Sequence, residues 1–210
     1  MKHLALILIT ALGLPAMLPS KSCDTSTPVF NSSEHGVAYC TTKGTLFSRS
    51  AQVVGKNLDV DAKMSWSDVG DRTQIEVSVP LNAFKSGSKK RDKHVAEILG
   101  SPAFTGISFK SDWLGTEMLC DSIERGETSL QGTLEIKGEG YPVSFDLEFQ
   151  SISSSAVVMG SLGTTFSELN VSVPKVGPGG MIAKPHDNLM LFVQLHLDKI
   201  GKAGSLQQCF

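Results

Sequence analysis

Apolar and polar residues alternate along much of this chain with a period of two. Because successive side chains of a β-strand point to opposite faces, this period is typical of a strand with one buried face. In the run 58–66, the apolar positions are Leu58, Val60, Ala62, Met64 and Trp66. A second run covers 73–81, and Gly70 lies in the polar segment between the two. Together the two runs predict a β-hairpin.

The same alternation returns several times in the rest of the chain. The clearest further runs are 107–113, 130–136, 143–149, 155–162 and 189–197. Two of them flank Gly138 and Gly140, which predict a second hairpin turn. With two weaker runs at 37–39 and 45–54, the pattern predicts about eight strands, a number at which a sheet can close into a barrel.

Only one segment has a convincing helical pattern. Residues 89–99 place apolar side chains on one side, Ser88 precedes them as an N-cap, and Gly100 follows as a stop. One short helix cannot cover a sheet, so the amphipathic strands must pack against each other in a sandwich or a barrel. We expect a barrel, because closure removes exposed sheet edges.

The first residues have the layout of a secretory signal. Lys2 and His3 precede the apolar run 4–18, which is too short and too interrupted to cross a bilayer. We therefore predict a cleaved signal peptide at 1–22 and a single domain at 23–210. The predicted destination is the periplasm or the exterior of the cell.

The four cysteines fit an oxidising compartment and can pair in three ways. We predict two disulfides, which join Cys120 with Cys209 and Cys23 with Cys40. The first of these would tether a tail that little else holds. The competing interpretation is a lipoprotein in which Cys23 is acylated and its disulfide is lost, although Lys21 stands where such signals have a small residue.

Charge and motifs exclude several classes of function. The net charge of −2 gives no basic character that would favour nucleic acid. His35, His186 and His196 lack the spacing of metal ligands. The chain also has no serine nucleophile elbow, no phosphate-binding loop and no dinucleotide fingerprint. We expect no metal, no cofactor and no enzymatic activity.

Three segments, taken in order, resemble the YceI-like polyisoprenoid-binding family. The first, 75–111, runs from a strand through a turn into the helix that begins Arg91-Asp92-Lys93-His94, and then into a second strand. The second is the strand pair 132–145 with its Gly-bearing turn, and the third is the loop 173–180 before the closing strand. Together with the strands between them, these segments cover about 36–199, when the strands are counted as a closed barrel requires.

This resemblance implies an all-β fold, namely an eight-stranded antiparallel lipocalin-like barrel with one short helix, in a single YceI-like domain at 23–210. It also implies an exported lipid-binding protein. Its lumen would hold a polyisoprenoid or similar long apolar chain, such as a polyprenyl lipid or a quinone tail, as carrier or scavenger. The inferred lumen residues are Leu58, Val60, Met64, Trp66, Ile75, Val77, Val79, Ile107, Phe109, Leu134, Ile136, Phe145, Leu147, Leu191, Val193 and Leu195.

The helix with Arg91, Asp92 and His94 would border the mouth of the barrel. Here the sequence departs from the family, because 100–105 replaces the usual acidic-aromatic and Tyr-Pro elements. The departure leaves the exact ligand open. His94 also resembles the family motif, and we interpret it as a structural residue and not as a catalytic base, since no nucleophile is placed to partner it.

Two alternatives remain beside the lipid carrier. Alternation reports burial and not cavity volume, so a barrel with a filled core, acting as a stress-related interaction module, fits the same pattern. A lipid-modifying enzyme is the less favoured alternative. A basic cluster near the mouth is either a solvated helix face or a site of transient contact with an anionic membrane surface, and it consists of Lys85, Lys89, Lys90, Arg91 and Lys93. The sequence does not predict the oligomeric state.

Overall fold

The structure is a computed structural model that describes residues 23, 30, 33–45, 50–152, 155–174, 183–200 and 209. The signal peptide predicted at 1–22 lies outside the described residues, and so does 175–180 of the loop in the third family-like segment. Among the described helices, none is both long enough and apolar enough to pass through a bilayer.

Strands dominate the described chain. They are β1 (Gly36–Thr45), β2 (Ser50–Asn57), β3 (Asp61–Trp66), β4 (Arg72–Pro80), β5 (Gly106–Ser111), β6 (Leu114–Gly115), β7 (Glu127–Ile136), β8 (Glu139–Ile152), β9 (Ser155–Thr165) and β10 (Ala183–His196). The helices are α1 (Lys89–Ile98), α2 (Thr116–Arg125) and α3 (Leu197–Ile200), and a 3-10 turn covers Leu81–Ala83.

The strands form one curled antiparallel sheet. Its order is β2-β1-β10-β9-β8-β7-β5-β4-β3, and the short β6 pairs with β4. The alternation that predicted the strands is visible in β7, where Leu130, Leu134 and Ile136 are buried. The residues between them, such as Thr133 and Glu135, are exposed. The inner face therefore collects the apolar side chains, as expected from a period of two.

The two ends of the sheet meet without a ladder between β2 and β3 in the described residues. The backbones of Lys56 and Lys85 exchange two hydrogen bonds, of 2.9 and 2.7 Å, and these are the main link across the seam. Beside them, the Asn57 side-chain amide donates to the Pro80 carbonyl at 2.9 Å. The sheet is thus fastened around a central space, and the predicted all-β, antiparallel, lipocalin-type fold is confirmed.

Each alternating run of the sequence overlaps a strand of the sheet path, which has nine strands besides the short β6 where a barrel of about eight was expected. The weak run at 37–39 lies within β1, and 50–54 of the run at 45–54 lies within β2, whereas 46–49 lies outside the described residues. Alternation is obscured in β1 because both of its faces are covered. Ala38 and Cys40 belong to a small outer core together with Phe30 and Phe192.

The prediction of a single helix was wrong, because α2 and α3 accompany the predicted α1. Helix α2 buries Leu119 and Ile123, which lie four positions apart on one face. It ends at Gly126, whose φ of 83° is the left-handed conformation that glycine adopts without strain. This signal was present in the sequence, but ten residues with one apolar pair are easily attributed to a loop.

Two disulfides attach segments near the chain ends to the barrel. Cys23 is bonded to Cys40 on β1 across 17 residues, and Cys120 on α2 is bonded to Cys209 across 89 residues. The predicted pairing is confirmed. The second bond brings Cys209 into the main buried cluster, which also contains Ile123 from α2.

Candidate functional site

The curled sheet encloses a cavity of about 890 Å³. Ligand sites in proteins commonly have volumes of about 300–1,000 Å³, so this space is large enough for a sizeable molecule. Every strand of the described chain except β3 contributes to the wall. Side chains from α1, α2, α3 and the segment after β9 complete it.

Most of the lumen residues inferred from the sequence lie on this wall. They are Ile75, Val77, Val79, Ile107, Phe109, Leu134, Ile136, Phe145, Leu147, Leu191, Val193 and Leu195. Several of these apolar side chains, among them Phe109, Leu191 and Val193, face the interior and are only partly buried. Partial burial of inward-facing apolar residues is what an open interior produces, since a filled core would cover them.

The other four inferred residues do not line the cavity. Leu58 precedes β3 and is 55% exposed. Val60, Met64 and Trp66 pack in the main core instead. The physical reason is that α3 packs against β3, so the inner face of this strand is covered by Leu197 and Ile200 and does not face the open space.

Alternation did not predict part of the wall, because the residues of that part do not come from strands. Helix α1 contributes Val95, Ile98 and Leu99, the apolar face that its periodicity had indicated. The segment after β9 contributes Phe166, Leu169 and Val171, and the opposite end is closed by Leu119 and Leu197. Because these residues lie outside the alternating strands, no local sequence pattern predicts that they line the cavity.

Two glycines make room for the side chains inside. A Cβ atom on Gly132 would lie 2.4 Å from the Lys110 carbonyl oxygen and 2.7 Å from the ring of Phe109. That ring makes an edge-to-face contact with Phe145, with the centroids 5.3 Å apart. On β9, a Cβ on Gly160 would lie 2.6 Å from Val193 Cγ1. The wall is therefore shaped by glycine as well as by apolar side chains.

At the mouth, Arg91 and Asp92 hold α1 onto the barrel. The Asp92 carboxylate accepts a hydrogen bond of 2.9 Å from the Ser86 backbone N–H and another from the Ser86 hydroxyl. Arg91 Nε donates to Ser86 Oγ at 2.7 Å, and its guanidinium also donates to the Ser86 carbonyl oxygen. Both motif residues thus fasten the first turn of α1 to the loop that follows β4. His94 lies one turn further on, 43% exposed, with Nδ1 3.6 Å from a Glu97 carboxylate oxygen.

An aromatic pair stands beside this loop. The rings of Tyr39 and Phe84 have centroids 5.8 Å apart, and both residues line the cavity. Tyr39 is paired across the strands with Gly55, where a Cβ atom would lie 2.3 Å from the tyrosine ring. Burial raises the pKa of the Tyr39 hydroxyl, so the group stays neutral in the physiological range.

Charge is distributed unevenly along the wall. The ionisable side chains that line it are Tyr39, Lys43, Lys90, Arg91, Lys93, His94 and Glu97. Apart from Tyr39 and Lys43 on β1, all belong to α1 at the mouth. Among the described lining residues below the mouth, the polar ones are neutral, such as Ser108 and Thr128. A site of this kind can hold an apolar molecule, because it offers no buried charge that such a molecule would leave unpaired.

A curled antiparallel sheet around an apolar cavity defines a lipocalin-type binding fold. A family model described as the YceI-like domain matches residues 27–184. The chain therefore belongs to the YceI-like domain family. Among proteins with curated descriptions, no sequence match was found.

Two solved structures have the same fold. BcnA of Burkholderia cenocepacia has a TM-score of 0.56 and 15% identity, and the similarity covers 77% of this chain and 95% of that one. A polyisoprenoid binding domain from Saccharophagus degradans has a TM-score of 0.52 and 11% identity, and it covers 77% of this chain and 97% of that one. At these identities the likeness shows the fold.

Proposed function

We propose that the protein binds a long apolar lipid, of the polyisoprenoid or quinone-tail type, in its barrel cavity and acts as a carrier or scavenger. The observation that carries this proposal is the 890 Å³ cavity with a largely apolar wall, whose charged lining residues, apart from Lys43 on β1, all belong to α1 at the mouth. A chain of isoprene units has no charge to pair, so its binding comes from removing apolar surface from water, about 25 cal/mol per Å². The polyisoprenoid binding domain from Saccharophagus degradans, which has the same fold, supports this ligand class.

The proposal includes export to the periplasm or the cell exterior, through the signal peptide predicted at 1–22. The two disulfides support it, because such bonds persist in oxidising compartments. The bond to Cys40 also occupies the Cys23 thiol, which a lipoprotein would need for acylation. We therefore propose a protein without an acyl anchor.

We propose binding and not catalysis. Apart from Tyr39 and Lys43 on β1, the ionisable side chains that line the described part of the cavity belong to α1 at its mouth, where Arg91 and Asp92 are engaged with Ser86. A hydrolase or transferase would need a nucleophile and a base within hydrogen-bonding distance of the bound lipid. A filled barrel acting as an interaction module is the other alternative, and it predicts that no ligand is retained.

Extraction of the purified protein with organic solvent, followed by mass spectrometry, tests the proposal. Leu134→Gln places an amide on the cavity wall, and Thr133→Gln places the same group on the exposed face of the same strand. We expect stoichiometric apolar lipid in the wild type and in Thr133→Gln, and much less in Leu134→Gln. Circular dichroism spectra verify that all three are folded. Gentle purification that yields no apolar molecule, or equal amounts in both variants, would refute the proposal.

A further inference from the structure

We propose that the α1 side of the barrel mouth docks onto an anionic membrane surface. This inference rests on the proposed function, since a lipid carrier must exchange its ligand with a bilayer. The sequence alone shows the lysines of 85–93. The structure adds Lys56, whose backbone is joined to that of Lys85 across the seam, and Lys43, which lines the same cavity as Lys90. The seam thus joins Lys56 to the lysines of 85–93 in one basic surface, and Lys43 adds a positive charge to the cavity wall that α1 also lines.

The charges on this surface are available to an external partner. Within the described residues, Lys93 has Glu97 at 3.8 Å, but no carboxylate lies within 4.0 Å of Lys43, Lys85 or Lys89. The nearby acid Asp92 is already engaged with Ser86. Among the described residues that line the cavity, Lys43, Lys90, Arg91 and Lys93 carry a fixed positive charge, and a single one, Glu97, is acidic. The field at this side of the mouth is therefore positive.

An exposed aromatic residue favours a lipid surface over a soluble polyanion. Phe104, in the segment after α1, is 39% exposed. Its ring lies against Gly100 together with the Lys137 side chain, so an apolar group and a cation share one place on the rim. Peripheral proteins commonly bind bilayers in this way, with basic residues at the headgroups and an apolar side chain inserted between them. Docked so, the apolar cavity would open toward the hydrocarbon.

Lysines near an anionic bilayer each change the partition coefficient about fivefold, and the attraction falls off within a Debye length of about 10 Å. We choose Lys85→Gln/Lys89→Gln, because neither side chain lines the cavity. Lys63→Gln/Lys110→Gln is the matched control: it removes the same charge from the outer wall, where both lysines pair with Glu76 at 2.7 and 2.8 Å.

The measurement is co-sedimentation with phosphatidylcholine vesicles, with and without phosphatidylglycerol, over a series of salt concentrations. We expect the wild type and the control to bind only the anionic vesicles, and Lys85→Gln/Lys89→Gln to bind at least about tenfold more weakly. Phe104→Ser should reduce the binding that persists at high salt. The docking surface is refuted if the wild type does not bind anionic vesicles, or if both double variants lose binding equally. It is also refuted if the protein binds heparin but not vesicles and Phe104→Ser has no effect.

Lipid content, measured on the same samples, separates this inference from the proposed function. If the wild type and both double variants contain equal amounts of lipid but none sediments with vesicles, the docking surface fails and the lipid site stands. If the wild type sediments and Lys85→Gln/Lys89→Gln does not, the docking surface stands, even where no sample contains lipid and the carrier role fails.

Discussion

Replacing Val193 with phenylalanine tests whether the barrel interior is open. Val193 lies on β10, lines the cavity and is only partly buried. Phenylalanine occupies roughly 50 Å³ more than valine, on the order of two water volumes. This is a small fraction of the 890 Å³ that the side chain faces. We therefore expect the ring to extend into the cavity, beyond the place where Val193 Cγ1 packs over Gly160.

The expected effect on stability follows from this space. Adding carbons to a well-packed core costs about 1–3 kcal/mol. In an open cavity, each added carbon that leaves water contributes up to about 0.8 kcal/mol, part of which is cancelled by immobilising the ring. We expect lipid-free Val193→Phe to be at least as stable as the lipid-free wild type. Ile123→Phe is the control, because Ile123 is 5% exposed in the same buried cluster but does not line the cavity.

Urea unfolding of delipidated protein, followed by circular dichroism, measures both changes. We expect Ile123→Phe to lose about 1–3 kcal/mol of unfolding free energy and Val193→Phe to lose none. Lipid extraction of Val193→Phe should also yield shorter chains than the wild type, because the cavity is smaller. Equal losses in the two variants would mean that the interior is packed, and the argument for a ligand site would fail.

Three further predictions concern the scaffold. Removing the Cys120–Cys209 bond, which closes a loop of 89 residues, should lower the unfolding free energy by about 1.5 kcal/mol more than removing Cys23–Cys40, which closes 17, because the longer loop gains more entropy in the unfolded chain. Thermal and urea unfolding of the two double Cys→Ser variants measures this difference, and the reverse order would contradict the prediction. Burial, and after it the charge of the neighbouring His196, lowers the pKa of His35 below its ordinary 6.5. As the pH falls through 6.5, the unfolded chain therefore takes up a proton at His35 before the folded protein does, and the unfolding free energy should fall. His35→Asn should flatten this dependence while the exposed-site control His186→Asn keeps it, and identical pH profiles would disprove the assignment. Arg91→Lys should speed hydrogen exchange in α1, because Arg91 reaches the Ser86 hydroxyl and carbonyl with two nitrogens of its planar fork, which a lysine lacks. Unchanged exchange beside a Lys93→Arg control would refute the role of this contact.

The strands could be predicted from the sequence because they depend on a simple rule, whereas the disulfide pairing was a choice among three that the structure confirms. In β7, the choice between Thr133 and Leu134 for the inner face follows from the period alone. The content of the interior could not be predicted in the same way. Alternation shows that Met64 is buried but not that it packs in the core that includes Leu197, and this packing removes β3 from the cavity wall.

The mouth was predicted in part. The Arg91-Asp92 motif marked the helix, and its role became clear only when the fold brought both side chains to Ser86. Lys56 had no apparent connection to the basic cluster, because it lies 29 residues before Lys85 and the two meet only through the curvature of the whole sheet. Contacts between distant segments depend on topology, which local periodicity does not encode.

The seam between β2 and β3 is a line of the barrel wall where the described strands form no ladder. The ladder between β7 and β8, by contrast, runs without a register shift from Glu127 opposite Glu148 to Ile136 opposite Glu139. The described seam is held by the two Lys56–Lys85 backbone hydrogen bonds and the Asn57–Pro80 hydrogen bond, and releasing three hydrogen bonds costs about 1.5–4.5 kcal/mol. Opening the wall along this line would therefore break fewer hydrogen bonds than opening it between β7 and β8, whose ladder pairs ten residues of each strand.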